Sequence, residues 1–437
     1  MRASFPAAAL SCVLLAGCTG QAAPSNMSGP SSPAPSSAAS SGPASSSPAS
    51  SGPTPVNSAS ISSPQPSPSL TPQESSPTGR VPVVGGAELE VVPVDYEGLT
   101  AVRAGFGGAH RAALRPVALQ RQTGSGWKEV ARTTMNGAGT AEFLAPGGSG
   151  TFRAVALPTG NVRATVATPS AKAADQWNRV LNSGFDGSTL PAPWAHRLTD
   201  VYDAGGRWCS APRKANVDVG KGTVTLTMSR ASKATAARVS ANTKRKQANA
   251  GQKTVGCPDG VFDNAMVSTQ DRFSITSGVV AARVKFPEEV GAHASVWLQS
   301  VEGQELDMVE TYGRGRGITS MVHVRGKRYP ADGKKAYVGT DVESDPQWWK
   351  AWHTVSVEWD RSGVRFRLDG RLTQEQKIAL GPANYFLVVS LLSSDWETSR
   401  LTQPSARAES GVDPATMRKP ELPFSMEVDW VRAWRTR

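Results

Sequence analysis

Three acids stand close together in the run Gln304-Glu305-Leu306-Asp307-Met308-Val309-Glu310. In a regular strand alternate residues share a face, so Glu305 and Asp307 point one way and Glu310 the other. A single β-bulge between Asp307 and Glu310 adds one residue and returns all three carboxylates to the same side. Such crowding is costly, because like charges raise one another's pKa, and a core selected only for stability would avoid it. It suits one chemistry well. A carboxylate set beside a carboxylic acid can cut a glycosidic bond, the first as nucleophile and the second as proton donor. Four effective strand steps separate the Cα atoms of Glu305 and Glu310 by roughly 13 Å. Side chains leaning inward close this to the ~5–5.5 Å between carboxyls that accompanies retention of configuration. Asp307 lies between them, placed to hydrogen-bond Glu305 and to modulate both titrations. Glu310 has to be protonated to serve a leaving oxygen, and the charge on Glu305 is expected to keep it so.

Strands must position these acids, and the sequence predicts an all-β protein. Val355, Val357 and Trp359 alternate with Ser356 and Glu358; the turn 360–363 follows, and then Val364, Phe366 and Leu368 alternate with Arg365 and Arg367. That pattern predicts a hairpin with one buried face. Val279 to Phe286 and Met426 to Trp434 behave similarly, and residues 175–437 are read as a large two-sheet jelly-roll sandwich. Residues 81–169 have a different texture. Short runs at Val117–Gln122, Trp127–Val130, Ala141–Leu144 and Thr151–Val155 are separated by Gly-containing turns, which predicts a small antiparallel β-sandwich. It resembles the immunoglobulin-like modules appended to secreted bacterial enzymes, and a spacer role is the simplest expectation.

The acidic run resembles the E-x-D-x-x-E signature of glycoside hydrolase family 16 in its bulged, laminarinase-like form, and the resemblance extends over most of 175–437. Residues 273–278 continuing into 282–287 are similar to the strand pair before that family's site. Residues 352–359 and 368–370 are similar to a later hairpin, and 428–432 to the closing strand. The resemblance implies Glu305 as nucleophile, Asp307 as assisting acid and Glu310 as acid/base. It places His323 near the site, and it places Trp297 in the sugar-binding cleft, where an indole face stacks on sugar C–H groups. Two stretches depart from the family. His293 and Ala294 stand where laminarinases carry Trp-Pro, and Ser390 to Trp396 replaces a Gly-containing cleft stretch, with Trp396 a candidate for a rebuilt stacking platform. The implied activity is a retaining endo-hydrolase of β-glucan-type polysaccharide. A cell-wall transglycosylase and a non-catalytic carbohydrate-binding surface protein are the alternatives, and the presence of both Glu305 and Glu310 speaks against the last. Two-carboxylate chemistry requires no metal or other cofactor; a structural cation on the convex face is compatible with it.

The leading residues bear on location. An apolar stretch from Ala7 to Ala16 is too short to span a bilayer and reads as a signal-peptide core, with residues 1–18 ending at Leu15-Ala16-Gly17-Cys18. That ending resembles the lipidation site of bacterial lipoproteins, so Cys18 is expected to carry lipid and anchor the protein to the extracytoplasmic face of the membrane, plain secretion being the alternative. Residues 19–80 are almost wholly Ser, Pro, Ala and Gly, a composition expected to remain a disordered, extended tether. In an oxidising compartment Cys209 and Cys257 are expected to form a disulfide. The net charge of +11 includes a basic stretch from Lys233 to Lys253, read as a solvated loop that could also lie along anionic cell-wall polymer. Export, and the lack of an aromatic-rich binding motif beside that charge, argue against nucleic acid as a partner.

Overall fold

The computed structural model describes residues 88–107, 113–147, 150–159, 163–166, 171–172, 177–202, 207–251, 254–315, 317–324, 326–331, 345–393 and 421–437. The signal segment with Cys18, the tether 19–80 and Trp396 lie outside the described residues.

Among the described residues the regular structure is mainly strand, as the alternation predicted. In the first layer of the larger sandwich, Glu305–Thr311 lies between Ile318–Val324 and Ala292–Ser300. Tyr385–Ser393 follows, and then Phe262–Ser268. The second layer runs from Thr223–Arg230 through Phe424–Thr436, Gly278–Lys285, His353–Trp359 and Val364–Leu368 to Arg371–Gln376. The ladder folds over where Ser229 and Arg230 pair with Asp263 and Phe262. Between the layers Val296, Leu298, Leu306, Met308, Val309, Leu387 and Val389 meet Val280, Ala282, Val284, Val355, Val357 and Val431 in one buried cluster. Burying each such side chain stabilises the fold by about 1.5–3 kcal/mol.

The N-terminal strands form two further sheets. Glu88–Tyr96, Leu99–Gly105 and Thr140–Pro146 make one; Gly126–Thr134, Pro116–Thr123 and Thr151–Ala156 are the main strands of the other. Val91, Val102, Val117, Leu119, Phe143 and Phe152 are buried between them. The outer face of the first of these sheets covers the second layer of the larger sandwich. Val92, Val94 and Ala101 pack with Trp177, Val279, Ala281, Trp430 and Trp434.

That cover corrects the expectation of a hairpin with one buried face. All seven residues of His353–Trp359 are buried, and so are the four consecutive apolar residues Val279 to Ala282. Ser356 and Glu358, expected at the solvent, lie under the N-terminal strands. Glu358 is held at 2.8 Å by Arg367, at 3.2 Å by Arg103 and at 3.3 Å by Arg365, and Arg367 also reaches Glu142 at 3.2 Å. Buried charges persist only when paired in this way.

The basic stretch differs as well. Lys233–Asn249 is an α-helix, the one such helix among the described residues. Ser232 caps it by accepting from the Thr235 amide at 3.2 Å. Val239, Thr243 and Gln247, spaced by four, form its buried stripe. Gln247 accepts from the amides of Val255 and Gly256, and the adjacent Cys257 is bonded to Cys209, with Cα atoms 5.7 Å apart.

Candidate active site

The strand Glu305–Thr311 carries the three acids, and the irregularity predicted between Asp307 and Glu310 is present. Against one neighbour Asp307 pairs with Met321 and Glu310 with Thr319, so three steps on the acidic strand match two on its partner. Against the other, Val296 pairs with Val309 and Trp297 with Asp307. The additional residue is absorbed by Met308 and Val309, both of which point into the core. Glu310 therefore returns to the face of Glu305 and Asp307. His293, Ser295, Trp297 and Gln299 present the same face from the neighbouring strand, since their alternates Ala292, Ala294, Val296 and Leu298 are core residues.

Asp307 is buried, and its Oδ2 lies 3.1 Å from His323 Nε2. Asp307 also shares a side-chain hydrogen bond with Glu305. Burial and the Asp307 charge, together with the Glu310 charge and that hydrogen bond, raise the Glu305 carboxyl well above the ordinary carboxylate range, with His323 opposing. Ligand atoms of Glu305, Asp307 and His323 lie within 4.8 Å of one another.

Glu310 is bound differently. His293 Nε2 lies 2.7 Å from its Oε1, and Thr319 Oγ1 donates to Oε2 at 3.4 Å. Burial raises the Glu310 carboxyl, but the hydrogen bond from His293, with His323 and Arg207 nearby, opposes it and leaves the group lowered. The expectation that Glu305 keeps Glu310 protonated runs against the direction of both shifts, with Glu305 raised and Glu310 lowered. The reason is the identity of the neighbours. Glu305 is buried beside Asp307, with His323 only partly opposing, whereas Glu310 is bonded to His293 with Arg207 behind it.

Trp297 is half-buried and its Nε1 donates to Ser390 Oγ at 3.1 Å. Arg197 lies over the indole ring, 5.4 Å from its centroid, and over Phe386 at 5.1 Å. Arg197 bonds only neutral side chains among those described, Gln299 at 2.5 Å and Gln270 at 3.1 Å. Burial pushes its guanidinium down to about 10, with Glu305 opposing. Neither Arg197 nor Arg207 was legible as a site residue, because each lies some eighty to a hundred positions from the strands it serves and no local pattern marks it. His293 was visible only as a departure from the family pattern.

Residues 208–409 match the family model of glycosyl hydrolases family 16. Among solved structures, the chain is similar to the laminarinase catalytic domain from Thermotoga maritima MSB8, at 16% identity and TM-score 0.43 over 60% of this chain and 98% of that one. It is similar to the endo-beta-1,3-glucanase from Pyrococcus furiosus, at 16% identity and TM-score 0.43 over 60% and 96% of the two chains. It is similar also to an uncharacterized protein from Mycobacterium paratuberculosis, at 20% identity and TM-score 0.37 over 58% and 100%. A search of curated proteins finds no match.

Proposed function

We propose that the glycosyl hydrolases family 16 domain carried by this chain is a retaining, endo-acting glycosidase of β-glucan-type polysaccharide. The observation that carries the reading is the bulge that sets Glu305, Asp307 and Glu310 on one strand face. Glu305 attacks the anomeric carbon while Glu310 gives its proton to the leaving oxygen, forming a glycosyl-enzyme ester. Glu310, now a base, takes a proton from water, which attacks the ester carbon and frees Glu305. Asp307, fixed by His323, holds Glu305 in line and accommodates the change in its charge. Trp297 and Arg197 form the sugar-facing wall beside the acids. The mechanism draws on no metal or cofactor.

The test is a panel of laminarin, lichenan, agarose and galactan incubated with the protein and analysed by product mass and by the anomeric configuration of the first product. Cleavage of a β-glucan with retention supports the reading. A Glu305→Ala variant that cuts at the parental rate overturns the nucleophile assignment, and mass increments on an added sugar acceptor would redirect the reading to transglycosylation.

The setting follows from the leading residues. Lipid on Cys18 would hold the enzyme at the outer face of the cell membrane, with the Ser/Pro-rich tether as spacer and the basic helix Lys233–Asn249 free to lie along anionic wall polymer. A Cys18→Ala variant should then appear in the medium, and wall retention should fall with added salt.

A further inference from the structure

Two-carboxylate chemistry leaves one feature of the cleft unused, the chain of contacts behind Glu310. Arg207 is anchored by its Nε, which donates to the Ser393 carbonyl at 3.0 Å, and its terminal nitrogen meets His293 Nδ1 at 2.6 Å. An arginine can only donate, so Nδ1 is the acceptor and the ring proton resides on Nε2. That proton points at Glu310 Oε1, 2.7 Å away. Such a donor is best satisfied by a carboxylate. The ring is also fixed from the side, stacked on Tyr312 at 4.7 Å with 27° between planes. The segment bearing Arg207 is secured in turn, since Thr243 of the helix donates to the Trp208 carbonyl at 3.3 Å and Cys209 is tied to Cys257.

The other described groups facing Glu310 are Thr319 and His323 from the strand Ile318–Val324 and Asp307 and Glu305 from its own strand.

We propose that His293, fixed by Arg207, is a positioning residue that keeps Glu310 in its base form until substrate arrives. The consequence for catalysis rests on the glycosidase reading; the ionised form of Glu310 does not. The competent form, with Glu305 ionised and Glu310 protonated, is then the minority arrangement of the singly protonated site. The acid limb of kcat/KM reports Glu310 and the basic limb reports Glu305, the reverse of the usual assignment. Release of Glu310 from His293 moves the acid limb upward. Each unit of that movement enlarges the competent minority about tenfold.

The test uses the full chain labelled with glutamate carrying 13C at the side-chain carboxyl, with Glu310→Gln identifying the Glu310 signal. His293→Phe retains a ring against Tyr312 and removes both polar contacts. The Glu310 midpoint is expected to rise by about one unit or more, and the acid limb of kcat/KM to rise with it while the basic limb stays. His293→Gln can again accept from Arg207 and donate to Glu310, and is expected to restore both toward the parental values. An unmoved Glu310 midpoint in folded His293→Phe, or movement of the basic limb alone, overturns the proposal. If the parent protein cuts no polysaccharide, the glycosidase reading fails, and the titration still decides whether Glu310 is ionised.

Discussion

Trp297 is paired across the ladder with Asp307, although its chain neighbour Val296 is paired with Val309. The skipped position is Met308, and this one-residue offset brings Glu310 onto the face of the other two acids. Without it Glu310 would replace Val309 in the core, and the cleft would hold two acids instead of three.

Loss of either outer acid should therefore abolish chemistry without unfolding the protein. Glu310→Gln is expected to lower kcat by about 10²–10⁴-fold, the range for a positioned acid–base group, and Glu305→Gln, which removes the nucleophile, by at least as much. Their stabilities should diverge with pH. Glu305 has a folded-state pKa raised above the ordinary 4.5, so it favours the folded state at low pH and loses that contribution as pH rises through the raised value. Chemical denaturation of Glu305→Gln should show its advantage over the parent growing from about pH 4.5 upward.

Glu358 predicts the opposite slope. Burial raises its carboxyl, but Arg367, Arg103 and Arg365 outweigh that and leave it lowered. A lowered carboxyl contributes stability above its unfolded pKa and loses it as pH falls through the folded value, so this seam weakens in acid. Glu358→Ala leaves the fully buried Arg367 side chain without its closest carboxylate and should cost about 3–5 kcal/mol near neutral pH, read from urea midpoints.

The bond between Cys209 and Cys257 closes a separation of 48 residues, for which chain entropy predicts about 4 kcal/mol of stabilisation. Replacement of both by Ala should lower the unfolding free energy by about that much. Arg207 precedes Cys209 by two residues, so the same variant should shift the acid limb of kcat/KM in the direction expected for His293→Phe.

Gly278 opens the strand that pairs with Phe424–Thr436. Its φ is 138°, and a Cβ there would lie 2.0 Å from the Trp434 carbonyl oxygen. Gly278→Ala is expected to cost about 1–3 kcal/mol in strain alone, with a lowered Tm and unchanged kcat well below it.

The local signals carried much. Spacing in 304–310 was enough to place Glu305 and Asp307 on one face and to show that a single bulge would bring Glu310 to join them, because strand periodicity depends only on backbone geometry. Alternation in 353–368 located a hairpin for the same reason. What alternation could not supply was the fate of its polar side. Ser356, Glu358 and Arg367 read as solvent-facing, and they are buried because strands some two hundred residues earlier bring Arg103 and Glu142 to meet them. The helix Lys233–Asn249 escaped notice because two of the three residues in its buried stripe, Thr243 and Gln247, are polar.

The amino-acid sequence by itself determined which residues could do the chemistry and which strand holds them. The three-dimensional fold alone decided which groups surround them. Arg207 and His293 are 86 positions apart, and only the closed sandwich sets them in line behind Glu310. A proton's location follows from the donors and acids within a few ångströms, and folding selects those neighbours from distant parts of the chain.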